Sequence, residues 1–353
     1  MLLHICFINF NPIAMKTYPY FVGIDVSAET FYASIYISSN RKYISEEFSN
    51  SFPGFDEFLA WLQAKKVSKD AVLVCMEATG VYCERLCYFL ASQGLDLVVE
   101  APHKVKRAFH KLTKTDKVDS QQIAEYACRF TDALSLWEPK NDILEKLRSL
   151  LTTRENLVSQ RTANQNALTS MKRKVVQSYV ALNALESVNE TLLQQIKEVE
   201  KEIENLIKSD DDFHHLYRLV TTIPAVKLLF FANLLVLTNG FAKENTPRQT
   251  ASYLGIAPHE HTSGTSVRRR TCSTGHGNYI ARKLMYLAAL SLRTHNEQMR
   301  TYYERKKLEG KPPRLILNNM SNKLIKMIYA IVRDKKQFMK NYVSVPPIVY
   351  KTV

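Results

Sequence analysis

The chain has 353 residues, 46% of them hydrophobic, which is enough for two or three folded domains and excludes a disordered chain. Lys and Arg outnumber Asp and Glu by 48 to 34, a formal charge of +14, which points to a polyanion: nucleic acid first, an anionic membrane surface second. The six cysteines form no C-x-x-C pair and no Cys/His zinc spacing, so a zinc module is excluded and reduced thiols in a cytoplasmic protein are expected.

In chain order, residues 1–14 are apolar but lack a basic n-region and are too short to span a bilayer. Residues 1–17 read as a tail or a translation-start artefact. Residues 21–26, 31–37 and 42–48 read as three short strands forming an antiparallel meander. A helix is predicted over 55–64, with Phe55, Phe58, Leu59 and Leu62 on one side. A buried strand over 71–76 ends at Glu77. A helix over 82–92 stops at Gly94, a strand follows over 95–100, and a further helix runs from about 117 to 130. Three antiparallel strands, then strands alternating with helices, is the RNase H-like order. It assigns residues 18–135 to one α/β domain.

Residues 131–142 read as a linker. Residues 143–208 contain no Gly or Pro, and Leu185, Val188, Leu192, Ile196, Val199, Ile203 and Leu206 recur at three-and-four spacing. This predicts a helical region, 143–210, as a coiled coil or a long helical hairpin. Packing within one subunit and dimerisation fit it equally. Beyond it, a helix-turn-helix-sized pattern surrounds Pro224, the apolar run 228–237 reads as a buried helix, and a short helix is predicted over 246–255. Residues 258–278 are polar, Gly-containing and basic, and are expected to be a loop. Helices return over 279–293 and 315–338. Residues 213–340 are thus expected to form a mainly helical, basic domain, with 341–353 as a tail. Residues 264–336 carry 17 Lys/Arg against 4 Asp/Glu, so nearly the whole charge surplus sits there.

Four acids stand out. Asp25 ends the first strand and Glu77 ends a later, central one. Asp116 and Asp119 lie three apart at the start of a helix, on one face. In an RNase H-like sheet those strand ends are neighbours and the helix crosses them. Phosphoryl transfer on DNA needs an activated nucleophile and a stabilised leaving oxygen, and two Mg²⁺ ions roughly 4 Å apart serve both. Such hard ions take oxygen ligands, so carboxylates must cluster. The plain alternatives are strand-end residues at 25 and 77 and a helix N-cap at Asp116 with Asp119 in its first turn.

These contexts, Gly23-Ile24-Asp25-Val26, Glu77-Ala78-Thr79-Gly80-Val81-Tyr82 and Lys114-Thr115-Asp116-Lys117-Val118-Asp119, resemble the DEDD transposase and recombinase family of bacterial insertion sequences, which includes the Piv-type invertases. The resemblance implies a RuvC-like domain whose metal ligands are Asp25, Glu77, Asp116 and Asp119, with Mg²⁺ as the metal and Mn²⁺ as a substitute. A second stretch, Leu254-Gly255-Ile256-Ala257-Pro258 and then Thr262-Ser263-Gly264-Thr265-Ser266-Val267-Arg268, could bring a serine close to a phosphate, with arginines to offset charge. The residues alone do not rank Ser263, Thr265, Ser266 and Ser273. The resemblance selects Ser263 as the nucleophile, since the family carries a serine followed by Gly there. Arg268, Arg269, Arg270, Arg282 and Lys283 are expected to contact nucleic acid. One departure is that Ile223-Pro224-Ala225-Val226-Lys227 stands where relatives often have a Pro-Gly-x-Gly turn.

The expectation is therefore a DNA transposase or site-specific recombinase working with Mg²⁺ and a serine. By resemblance, its partners are the element's DNA ends, a target DNA, a structured guide RNA and further copies of the chain, with no membrane. The rival readings are a junction nuclease using the same carboxylates and water, and a nucleic-acid-binding remnant without catalysis.

Overall fold

In the computed structural model, residues 16–109, 115–242, 246–263, 267–273 and 277–340 are described, with backbone alone for 259–263 and 267–272. Of the tail expected at 1–17, residues 1–15 lie outside the described residues, as does the tail expected at 341–353. The chain divides into two compact units, Met1–Lys140 and Asn141–Val353.

The first unit is built on β1 (Tyr20–Val26), β2 (Thr30–Ile37), β3 (Lys42–Ser49), β4 (Val72–Glu77) and β5 (Asp96–Glu100), ordered β3-β2-β1-β4-β5. β1, β2 and β3 pair antiparallel; β4 joins β1 in parallel and β5 joins β4 in parallel. Helices α1 (Phe52–Ala64), α2 (Glu84–Ser92), α3 (Pro102–Ala108) and α4 (Asp116–Arg129) complete it. The mixed α/β arrangement is the one expected; α3 is an addition. Its seven residues bury only Val105, too weak a pattern to stand out in the sequence.

Alternation explains the layers. Val22, Ile24, Val26, Phe31, Ile35, Val74 and Met76 face Phe55, Phe58 and Leu62 of α1 and Leu86 and Leu90 of α2. Their neighbours Phe21, Tyr36, Leu73, Cys75 and Val98 face Ile123, Ala124 and Ala127 of α4. β4 is covered on both faces, so it reads as an unbroken apolar run.

The approach of α4 to β1 is set by Gly23. A Cβ there would fall 2.1 Å from the Ser120 carbonyl oxygen and 2.2 Å from the Ala124 nitrogen. No side chain fits. Beside it, Ser120 Oγ lies 2.7 Å from Ser34 Oγ, which lies 2.8 Å from Ser45 Oγ, so the buried hydroxyls satisfy one another. Thr115 caps α4, its hydroxyl accepting from the Val118 N–H at 3.3 Å. This corrects the alternative that Asp116 is the N-cap: Asp116 is the first helical residue, and the cap falls to the β-region residue before it.

The second unit opens with α5 (Asp142–Lys172) and α6 (Tyr179–Ser209), packed as a helical hairpin. The turn between them contains no Gly or Pro, which is why the sequence reads as one continuous helical region. Arg154 pairs with Glu200 and Lys172 with Glu186, each at 2.6 Å, across the two helices. Leu182, Asn189, Ile196 and Ile203 recur every seven residues and are buried, while Leu185, Leu192, Val199 and Leu206 are half-buried.

Then follow α7 (Asp211–Val220), α8 (Leu228–Leu237), α9 (Pro247–Tyr253), the strands β6 (Pro258–Ser263) and β7 (Val267–Ser273), α10 (Tyr279–His295), α11 (Glu297–Leu308) and α12 (Pro313–Asp334). α8 is buried nearly all round. Side-chain caps fix several starts: Asp210 accepts from the Phe213 N–H at 2.8 Å, Asn278 from Ala281 at 2.9 Å, and Thr246 with Gln249 forms a capping box. The loop expected over 258–278 is instead an antiparallel hairpin in its described part, with a register irregularity between His259 and His261. Polar side chains along both strands hide it from a hydrophobicity pattern. Among the described residues, no helix is long and apolar enough to cross a membrane.

Gly23→Ala is expected to push α4 off the sheet and to cost about 1–3 kcal/mol of stability, as overpacking does. A urea titration of the full chain checks this; an unchanged midpoint would contradict the close-packing account.

Candidate active site

The β1–β4 register ends on Ile24 opposite Met76, which makes Asp25 and Glu77 the next neighbours across two parallel strands. They follow Gly23 and Cys75 by two residues and so belong to the face that α4 covers. Asp25 pairs with Tyr32 on β2, Tyr32 with Glu47 on β3, and Glu77 with Glu100 on β5. The result is a row across the sheet on one face: Glu47, Tyr32, Asp25, Glu77, Glu100.

Ser120 of α4 lies over the preceding row, against Gly23 and Ser34. One turn earlier stands Asp116. Its charge reaches Tyr32, whose phenol is held above its ordinary pKa first by Glu47, then by burial and a hydrogen bond to Glu47, and then by Asp116. Asp119 shares the first turn, its N–H donating to the Thr115 carbonyl at 2.8 Å. The elements bearing Asp25, Glu77, Asp116 and Asp119 therefore meet at one edge. Asp25, Glu77 and Asp119 are half-buried and Asp116 is exposed.

Among the described residues, no three His, Cys, Asp or Glu side chains are gathered into a ready metal-holding group. The acids share an edge without forming a cage. The donor set suits a hard divalent ion, being all carboxylate and partly open to solvent. The fit lies in the backbone register and the helix start; the carboxylates themselves would have to turn inward.

Glu100 is a residue that the sequence reading passed over. It is 6% exposed, accepts from the Ala101 N–H at 2.8 Å and the Tyr126 hydroxyl at 3.4 Å, and pairs with Lys104 at 3.0 Å. Burial and the Glu100 charge push the Tyr126 phenol up to about 12. Burial, then Glu100 and Glu77, push the Cys75 thiol up, so both glutamates act on the same face of β4. The signal was present: Glu100 ends the strand beside the one that Glu77 ends.

The second unit carries the other residues. Ser263 is the last residue of β6 and pairs with Val267; Gly264, Thr265 and Ser266 lie outside the described residues. Ser273 ends β7. Arg268, Arg269 and Arg270 are on β7, with Arg268 opposite Thr262 and Arg269 opposite His261. Arg282 and Lys283 lie near the start of α10, and Lys283 reaches Glu155 of α5 at 3.4 Å. In the Ile223–Lys227 turn the Val226 N–H donates to the Ile223 carbonyl at 3.0 Å, and no residue takes a left-handed backbone. Ala225 and Lys227 stand at the two glycine positions of that turn without a positive φ, and the turn forms no anion-binding nest of alternating right- and left-handed residues.

Two family models match the chain. A DEDD-type model described as "Transposase" covers residues 22–177, and one described as "Transposase IS116/IS110/IS902 family" covers residues 217–304. The chain belongs to the IS110 family of transposases. The first match holds Asp25, Glu77, Asp116 and Asp119; the second holds Ser263, Arg268, Arg269, Arg270, Arg282 and Lys283. This IS110-family chain is 28% identical over 333 residues to the pilin gene-inverting protein of Moraxella bovis, covering 92% of this chain and 98% of that one. The Moraxella lacunata protein of the same name matches to the same extent. An uncharacterized 43.6 kDa protein of insertion element IS110 from Streptomyces coelicolor is 30% identical over 142 residues, 40% of this chain and 35% of that one. Among solved structures, T. thermophilus RuvC in complex with a Holliday junction substrate covers 33% of this chain and 99% of its own, at 11% identity and a TM-score of 0.27, a likeness too small to carry an argument. Family membership makes this chain an enzyme of DNA phosphoryl transfer.

The acidic edge has a spectroscopic test. With tyrosine ring carbons labelled for NMR, Tyr32 is expected to titrate above an ordinary tyrosine. Asp116→Asn removes a negative charge that favours the neutral phenol, so the pKa should fall part of the way back, and Glu47→Gln should lower it further. A Tyr32 pKa that ignores Asp116→Asn would place α4's first turn away from the Asp25 row.

Proposed function

We propose that this IS110-family enzyme cuts and rejoins DNA at the ends of an insertion element, with Asp25, Glu77, Asp116 and Asp119 holding Mg²⁺ (Mn²⁺ as a substitute) and Ser263 as the nucleophile. The observation that carries the proposal is the placement of Asp25 beside Glu77 on parallel strands under the helix start that bears Asp116 and Asp119. When bound, the metal supplies a positive charge that favours the ionised attacking oxygen and the departing one.

In this reading Ser263 Oγ attacks a phosphodiester phosphorus. The new bond is serine oxygen to phosphorus; the broken bond is phosphorus to a deoxyribose oxygen, which leaves and takes up a proton. The strand is then held as a phosphoserine ester. A deoxyribose hydroxyl of a second strand reverses the step, restoring the serine and joining the new pair of ends. Arg268, Arg269, Arg270, Arg282 and Lys283 hold phosphates, which positions the DNA without reading its sequence. Lys283 must exchange Glu155 for the nucleic acid to do so.

Residues 18–135 act as the carboxylate domain, 143–210 as the helical region that joins copies of the chain, and 213–340 as the serine-bearing domain. The half-buried heptad positions on α6 support the joining role. A structured guide RNA chooses the DNA sites. The relatives named for pilin gene inversion support recombination as the outcome. The reaction takes place in the cytoplasm, where the chromosome lies.

The decisive assay incubates the full chain with Mg²⁺, guide RNA and DNA carrying its own element's ends, then looks for a protein-linked strand on a denaturing gel. The wild type is expected to give the adduct; EDTA, Asp25→Asn and Ser263→Ala are expected to abolish it. Cutting that persists in Ser263→Ala would replace the serine with water as nucleophile.

A further inference from the structure

The face shared by α11 and α12 gathers positive charge that the proposed chemistry leaves unused. Tyr302 of α11 is half-buried there. The Lys323 Nζ of α12 stands 4.1 Å from its ring centroid and the Arg305 guanidinium 5.7 Å from it. Lys306 follows Arg305 on α11, and Lys326 lies three residues after Lys323 on the same side of α12. Burial lowers the Lys323 pKa, and so do Arg305, Lys306 and Lys326, which means that Lys323 feels the other three cations.

Glu309 answers two of them, meeting Lys306 at 2.6 Å and Arg305 at 3.3 Å. Among the described residues, neither Lys323 nor Lys326 pairs with a carboxylate. Bringing such charges together costs free energy in the unbound protein, and an anion lying across them recovers it. The surface is firmly held: Leu324, Ile325 and Ile328 bury the other side of α12, and Met299 and Tyr303 anchor α11.

We propose that this face, through Lys323, Lys326, Arg305 and Lys306 around Tyr302, binds the phosphate backbone of duplex DNA. It stands on different elements from the β7 arginines. The choice of duplex follows from Tyr302. Single-stranded nucleic acid is held by bases stacked on open aromatic rings. Here the ring is half-buried and occupied by Lys323, so the face offers phosphate contacts and no stacking platform. The inference deepens the reading of the chain as a DNA recombinase. Its test reads equilibrium binding rather than strand transfer, so either can fail without the other.

The experiment measures anisotropy of a labelled duplex of arbitrary sequence against the full chain at a series of salt concentrations. Each lost phosphate contact lowers the slope of log K against log salt by about 0.9. The Lys323→Gln/Lys326→Gln double variant should therefore lose about 1.8 of slope. The Lys323→Arg/Lys326→Arg variant should keep the wild-type slope, and Lys65→Gln/Lys66→Gln, in the first unit, should leave it alone. Circular dichroism melting verifies that the variants fold; if the glutamine pair does not, single charge removals at 326 and 305 give the same reading, about 0.9 each. An unchanged slope overturns the proposal, and so does a loss seen with an RNA duplex but absent with DNA.

Discussion

The distance between β1 and α4 is the constraint on which the acidic edge depends. Helices ordinarily ride on a sheet at the separation their side chains impose. At Gly23 there is no side chain, and the backbone of α4 comes into direct contact with the central strand. The Ser34–Ser120 hydrogen bond ties the helix to β2, opposite Gly23. Together they bring the first turn of α4 to the strand ends, where Asp25 and Glu77 stand. The helix also points its N-terminal, partially positive end at that row, which offsets some of the repulsion among carboxylates.

Repulsion is handled differently at Glu100. It lies beside Glu77, yet Lys104, the Ala101 N–H and Tyr126 satisfy it, so it behaves as a buried structural acid. The half-buried acids Asp25, Glu77 and Asp119 and the exposed Asp116 keep an open side toward solvent. One edge thus holds a buried carboxylate beside others that reach solvent.

Much of the first unit was legible in the sequence because its signals are strong. β4 is a continuous apolar run ending in Glu77, and α1 carries Phe55, Phe58 and Leu62 at helical spacing. What was missed had little apolar pattern. β6 and β7 are mostly polar, without an apolar alternation, so only backbone pairing reveals them. α11 buries just Met299 and Tyr303, and α3 just Val105. The turn between α5 and α6 lacks the Gly or Pro that would have marked it. Asp116 was open to reading as a cap because a Thr and an Asp adjoin at the helix start, and only the geometry assigns the cap to Thr115. The four acids could be singled out by position in the strand order, but their register, and the presence of Tyr32 and Glu100 in the same row, required strand pairing.

The central claim is that the acids at this edge close around divalent ions when these are supplied. It is tested most directly by growing crystals of the full chain with Mn²⁺ and recording anomalous differences at the manganese edge. The account predicts density between the side chains of Asp25 and Glu77 and the first turn of α4, lost in an Asp25→Asn crystal. Manganese bound elsewhere with that edge empty, or density that survives Asp25→Asn unchanged, would contradict it.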